Sequence, residues 1–267
     1  MEVCRVRVLC SPVAEGGAKL FTGVYVRGLV LRMLSEVSCE LGELAHSRGV
    51  KPFAVRPLRP LSKPTYREGA LLLKPGELYE MGFTVVGVDA GRLLSRFSSS
   101  FVIAGVEFKL VEGRVESTSF REIAEGAEEA GLVELRFRSP TRFEEKSSRL
   151  PYVLPEPVRI YGNLMQYWNH YAGGLDEGFI EWVRENVKVR MHSLHTVDVD
   201  IGKGVPQTGF LGWCKLRVLK GGEEARWVTA LTKLAEYVNI GSKRSYGFGV
   251  VDAEVMKLKA ESGQPEL

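Results

Sequence analysis

Apolar and polar positions change period along this chain in an order that occurs twice. Val3 to Cys10 alternate, as in a strand with one buried face. Val26, Leu29, Val30, Met33, Leu34 and Val37 follow at helical spacing. Ser38 caps a second short helix with Leu41, Leu44 and Ala45, closed by Gly49. Pro52 to Leu58 reads as a proline-punctuated strand and therefore an edge. Glu77 to Val86 is a further strand, Asp89 caps a short helix with Leu93, Leu94 and Phe97, and Val102 to Val115 returns as a strand. The order βαββαβ is the ferredoxin-like arrangement.

The acidic stretch from Arg121 to Ala130, with its E-G-A-E-E-A run, breaks this pattern and reads as a linker. The order then returns. Leu132 to Phe137 is a strand, Ile160 to Tyr171 a helix continued by Phe179 to Val183, and Val187 to Val199 a half-buried strand. Gly209 to Leu219 is the next strand, Glu223 to Val238 the last helix and Val250 to Leu258 the last strand. The expected fold is α+β: two tandem ferredoxin-like (βαββαβ, RRM-like) domains with antiparallel sheets. They span 1–122 and 131–259, with a linker at 123–130 and a tail at 260–267.

Composition agrees with two ordinary domains: 267 residues, 45% hydrophobic and 26% charged. No apolar run is long enough for a membrane span, and no signal-peptide pattern opens the sequence. Cys4, Cys10, Cys39 and Cys214 form no C-x-x-C and read as reduced thiols, so a cytoplasmic protein is expected. The net charge of +3 hides an uneven distribution. Residues 1–74 hold 12 Lys and Arg against 6 Asp and Glu, whereas 75–130 hold 5 against 10. Between Glu43 and Glu68 stand Arg48, Lys51, Arg56, Arg59, Lys63 and Arg67 with no acid. Such a block is a solvated face or a polyanion-binding surface.

The densest cluster of unusual residues is N-I-G-S-K-R-S-Y-G-F-G-V-V, from Asn239 to Val251. It lies after a helix and before a strand. Phosphate-binding loops of nucleotide cofactors need the reverse order, so that a helix N-terminus faces the phosphate. No G-K-[ST] follows a glycine here. What remains is a loop whose glycines let backbone approach a ligand, with Lys243 and Arg244 supplying charge. The plainer alternative is a turn that packs a helix onto a sheet.

Of the four histidines, His46 sits in the last turn of its expected helix, where the C-terminus favours imidazolium. Lys51 is five residues on. A histidine beside cations suits RNA cleavage without a metal, in which the 2′-hydroxyl attacks its own phosphate. A helix-capping histidine is the alternative. His170 reads as a packing or surface residue, and His192 shares a strand face with Lys188 and Arg190. His195 with Asp198 and Asp200 is the one arrangement resembling a metal site, but alternation sets the two aspartates on the opposite face. No metal and no cofactor is expected.

These residues together resemble the repeat-associated mysterious protein (RAMP) superfamily of CRISPR systems, and within it the endoribonucleases that cut precursor CRISPR RNA inside each repeat. The family's signature is glycine, an apolar residue, glycine, five residues, then glycine-apolar-glycine. Here it reads Asn239, Ile240, Gly241, S-K-R-S-Y, Gly247, Phe248, Gly249. Asn239 replaces the first glycine and tolerates a left-handed backbone better than most residues. T-G-F-L-G-W (Thr208 to Trp213), L-R-F-R-S-P-T-R-F (Leu135 to Phe143) and H-S-R-G-V-K-P-F (His46 to Phe53) resemble further family segments.

The resemblance implies His46 as general acid/base, Lys51 as phosphate stabiliser, and a product with 2′,3′-cyclic phosphate and 5′-hydroxyl ends. It implies RNA contacts from Gly241, Ser242, Lys243, Arg244, Ser245, Tyr246, Gly247 and Gly249, with Arg48, Arg56 and Arg59 from the basic block. Repeat RNA is the implied partner, with effector-complex subunits and a second copy of the chain as further candidates and no membrane. Some relatives carry a tyrosine in the first helix. Leu31 takes that place here and Tyr25 is almost two turns away, so no tyrosine role is carried over. A non-catalytic RNA-binding subunit is the alternative. An ordinary RNA-recognition-motif protein, suggested by Y-G-F-G-V-V, stands behind both. That signature belongs on a third strand, and here Val250 and Ala253 occupy the places of its aromatics.

Overall fold

The computed structural model describes residues 1–37, 43, 49–88, 99–145, 148, 150–202 and 204–257. In the first domain β1 (Glu2–Pro12) leads through the short β2 (Gly16–Ala18) into α1 (Gly23–Val37). Then come β3 (Phe53–Pro60), β4 (Tyr66–Arg67), β5 (Ala70–Leu73), β6 (Tyr79–Val86), β7 (Ser100–Ile103) and β8 (Val106–Ser119). The main sheet has the order β3-β6-β1-β8-β7, and β2, β5 and β4 form a small sheet of their own. Strand β3 is an edge, as its prolines require. Alternation along β1 puts Cys4, Val6 and Val8 into a core with Val26, Val30 and Leu34 of α1. Arg5 and Arg7 fall on the other face.

The second domain repeats the plan with β9 (Ala130–Thr141), α3 (Pro157–Tyr171), α4 (Gly178–Asn186), β10 (Val187–Val199), β11 (Gln207–Val218), α5 (Glu223–Val238) and β12 (Val251–Lys257). Its order, β10-β11-β9-β12, matches β3-β6-β1-β8 of the first sheet strand for strand, and all pairings are antiparallel. Two ferredoxin-like sheets are therefore present. The helix expected at Asp89–Phe97 and the short helix expected at Leu41–Ala45 lie outside the described residues, apart from Glu43.

Three expectations are corrected. The stretch Val102–Val115 is not one strand but the hairpin β7–β8, turning at Ala104 and Gly105 with φ of 53° and 79°. Arg121–Ala130 is not an open linker but begins with the helix α2 (Phe120–Glu125). Ser119 caps it: its hydroxyl accepts from the Glu122 amide at 3.1 Å while Glu122 accepts from the Ser119 amide at 2.8 Å, a reciprocal capping box. Phe120 and Ile123 then pack into the second domain's core, Phe120 edge-on to Trp168. Strand β10 is not half-buried, since only Val187 along it is buried.

The domains share apolar surface. Val3 and Val86 of the first sheet join the core of the second domain.

Candidate functional site

The glycine loop is assembled on the end of β9. The amide of Ser242 donates to Arg142 O at 2.9 Å, and that of Gly249 to Pro140 O at 3.0 Å. The amide of Val250 donates to Ser139 Oγ at 2.9 Å. Gly241 N–H is taken by Asn163 Oδ1 of α3 at 2.7 Å. The S-P-T-R segment of the L-R-F-R-S-P-T-R-F motif is thus the cradle of the loop. Within the loop, Lys243 (φ 59°) starts a 3₁₀ turn, Arg244–Tyr246, closed by Gly247. Gly249 has φ of 72°, and a Cβ there would run into Ile240 O. The amides of Gly241, Ser242, Tyr246, Gly247, Phe248 and Gly249 are all committed to protein acceptors. The close approaches of Gly241, Gly247 and Gly249 are to protein. What the loop turns outward is side chains: Ser242, Lys243, Arg244 and Tyr246 are half-exposed.

The loop also touches the first domain closely. A Cβ on Gly23, the first residue of α1, would collide with Tyr246 O, and one on Gly247 would lie 2.8 Å from Pro57 Cγ of β3. Asn239 donates from Nδ2 to Val55 O of β3 and to Phe248 O, both at 3.0 Å. Phe248 is enclosed by Phe21 and Ile201 in a small apolar cluster drawn from both domains, its ring 5.1 Å from that of Phe21. Alongside, Lys19 and Asp200 pair at 2.6 Å.

At this junction the expected phosphate stabiliser, Lys51, comes within electrostatic reach of the loop. Arg27 of α1 lies with its guanidinium 4.4 Å from the centroid of the Tyr246 ring and 5.8 Å from that of Phe53. Partial burial holds the Lys51 ammonium below the ordinary lysine range, the nearby Arg27 pushes it lower, and Tyr246 opposes them. Tyr167 of α3 donates to Lys51 O at 3.4 Å. The ring of Tyr167 carries the Arg244 guanidinium, 4.6 Å away. Arg244 is lowered to about 10 by burial, against the pull of Tyr167 and Tyr171, and stays charged near neutrality. Its Nε donates to Gly241 O at 2.9 Å and its Nη2 to Asn163 Oδ1 at 3.2 Å. Arg244 is an internal clamp of the loop.

The remaining expected residues are scattered. His46 and Arg48 lie outside the described residues. Ser245 is buried. Arg56 donates to Glu236 O at 2.7 Å, and burial lowers it to about 10, with Arg5 adding to the shift. Arg59 is exposed and pairs with Glu80 at 2.6 Å. Two cations of the basic block, Arg56 and Arg59, thus meet partners from α5 and β6. His192 no longer shares a face with Lys188. The β10 register shifts between Val189 and Met191, so Lys188 stands opposite Arg217 while His192 stands opposite Cys214. His170 is exposed against Tyr171. Asp198 accepts from Thr208 at 2.5 Å and Asp200 is held by Lys19. Among the described residues no three His, Cys, Asp or Glu side chains form a metal-ligating group. Leu31 packs on the first core, and Tyr25 accepts from the Lys19 amide at 3.4 Å. Arg27 and Tyr167 were not singled out from the sequence. Each sits on an expected helix, and nothing in a linear pattern tells which helix position will face another domain.

Residues 135–251 match the sequence profile of the CRISPR-associated endoribonuclease Cas6. The match falls within the second domain. The matched segment runs from the cradle strand β9 through the whole glycine loop. Solved structures agree over nearly the full length. A Cas6 product complex superimposes with a TM-score of 0.75 at 24% identity, covering 94% of this chain and 100% of that one. A Thermus thermophilus Cas6 gives 0.68 at 25%, covering 94% and 98%. A RAMP protein described as binding different RNA substrates gives 0.64 at 13%, covering 95% and 100%. No curated protein matches the sequence. The Cas6 fold thus accounts for both domains, and no helix among the described residues is long and apolar enough to cross a membrane.

Proposed function

We propose that this protein is an endoribonuclease of the Cas6 kind, which cuts precursor CRISPR RNA within its repeats without a metal ion. The observation that carries the proposal is Arg27 of α1 stacked on Tyr246 of the glycine loop at the domain junction, within electrostatic reach of Lys51. In the reaction the ribose 2′-oxygen attacks the adjacent phosphorus, and the bond from phosphorus to the 5′-oxygen breaks. His46, five residues before Lys51, is the general acid/base candidate. It takes the 2′-hydroxyl proton or gives a proton to the departing 5′-oxygen, leaving a 2′,3′-cyclic phosphate and a 5′-hydroxyl. Lys51 and Arg27 offset the negative charge that grows on the phosphoryl oxygens. Tyr246, held by the loop over Arg27, fixes that guanidinium and presents a ring on which a base can stack. Lys243 contributes a backbone phosphate contact.

The test incubates labelled repeat RNA with protein in excess EDTA, for the wild type and His46→Ala. The proposal expects wild-type cleavage with a cyclic-phosphate end and loss of at least about a hundredfold in the variant. Cleavage that depends on added Mg²⁺, or that survives His46→Ala, would overturn the mechanism. Tight, salt-sensitive binding with no cutting by the wild type would assign the protein instead to a non-catalytic RNA-binding role.

A further inference from the structure

The site depends on how the glycine loop is seated on the first domain, and one residue of the signature departs from glycine at that seat. Asn239 has φ of 63° and ψ of 170°. This is a region of backbone conformation that only glycine enters without strain, and such strained residues persist where the surroundings hold them for a purpose. Its side chain is fully enclosed. Oδ1 has no hydrogen-bond partner among the described residues, which is a second local cost. A glycine here would carry neither cost. What the asparagine alone provides is Nδ2, which donates to two carbonyls that belong to different domains: Val55 O on β3 and Phe248 O in the loop. Val55 lies four residues after Lys51, and Phe248 two residues after Tyr246. One amide group therefore ties the strand that follows Lys51 to the loop that carries Tyr246.

We infer that Asn239 is a positioning residue, whose side chain seats the glycine loop on β3 so that Tyr246 and Arg27 meet beside Lys51. The inference rests on the endoribonuclease reading for its kinetic consequence and on the two hydrogen bonds for its structural one. It makes an unusual demand: restoring glycine relieves backbone strain and yet impairs the site.

The experiment compares the wild-type chain with Asn239→Gly in two arms. The first needs no RNA. Hydrogen–deuterium exchange is followed over residues 53–58 and 246–249, beside a thermal melt. Seating by Asn239 expects a melting temperature no lower than about 3 °C below wild type, with exchange in both segments faster by about fivefold or more. The second arm measures repeat-RNA affinity and the single-turnover rate with protein saturating. It expects the rate to fall about tenfold while Kd moves less than about twofold, the split that separates misplacement from lost binding. Unchanged exchange in both segments overturns the inference, and so does faster exchange with an unchanged rate, or a loss confined to Kd. If wild type binds but does not cut, the endoribonuclease reading fails by itself, and the exchange arm alone decides whether Asn239 seats the loop.

Discussion

Arg5 and Arg56, on different strands of the first sheet, donate to the same carbonyl oxygen, that of Glu236 in the last turn of α5, at 3.2 and 2.7 Å. The C-terminal end of a helix carries partial negative charge and unsatisfied carbonyls, so two guanidinium groups from one domain complete a helix of the other. Arg5 is held in turn by Glu116 and lies 4.4 Å from the centroid of the Tyr237 ring. Arg56→Ala should therefore lower stability by about 2 kcal/mol, the worth of a charged hydrogen bond. Denaturant melts check the value. If Arg56 acts at the domain junction and not on RNA, repeat-RNA affinity at a temperature where the variant is folded should change less than about twofold.

Gly23→Ala probes the same junction from the loop side. Alanine favours helices over glycine by up to about 1 kcal/mol, but here its Cβ meets Tyr246 O, a backbone atom that cannot rotate away. Overpacking should prevail, with a net loss of about 1–3 kcal/mol and slower cleavage. A more stable, fully active variant would show that the loop does not need this contact.

The two cations of the loop should separate experimentally. Both are half-exposed, but Arg244 commits its Nε to Gly241 O and its Nη2 to Asn163 Oδ1. Lys243→Asn, chosen because asparagine tolerates the left-handed backbone, should flatten the slope of log K against log salt by about 0.7, one phosphate contact to a single strand. Arg244→Ala should instead lower the melting temperature. Equal effects on the salt slope would place Arg244 on the RNA.

Burial and Arg27 both hold Lys51 below the ordinary lysine range. In the proposed mechanism the charged form is the useful one, so its contribution is present below the folded pKa and is lost as pH rises through it. Single-turnover rates between about pH 7 and 11 should fall on an alkaline limb below that of a free lysine. Lys51→Arg should move that limb upward, whatever it does to the maximal rate. A limb that stays in place belongs to another group.

Much of the architecture was written in local pattern. The span Glu223–Val238, read from apolar spacing, is α5 residue for residue, and the prolines of β3 placed it at an edge. The helix α2 was legible too: Ser119 and Glu122 are a capping box followed by Ile123, and the acidic run behind them drew attention away. The β7–β8 turn was not legible, because Ala104 adopts a positive φ that alanine seldom takes. At the site the glycine signature located the loop, but not the fact that six of its amides are bonded to protein acceptors. The fate of the basic block was equally hidden. Arg56 and Arg59 find Glu236 and Glu80 only once β3, β6 and α5 are brought together, and sequence distance says nothing of such partners.

The small cluster of Phe21, Ile201 and Phe248 bears on how the protein comes into being. Phe21 is made early in synthesis, and the ring that covers it is made more than two hundred residues later. Until Phe248 leaves the ribosome, Phe21 has no lid and the carbonyl of Val55 lacks its Asn239 donor. A nascent chain that has completed only its first sheet thus holds Arg27 without the Tyr246 ring it packs against. Competence to cut RNA should arise late and in one step, when the final helix docks, and a message broken before that point would yield a chain that is inactive for a geometric reason.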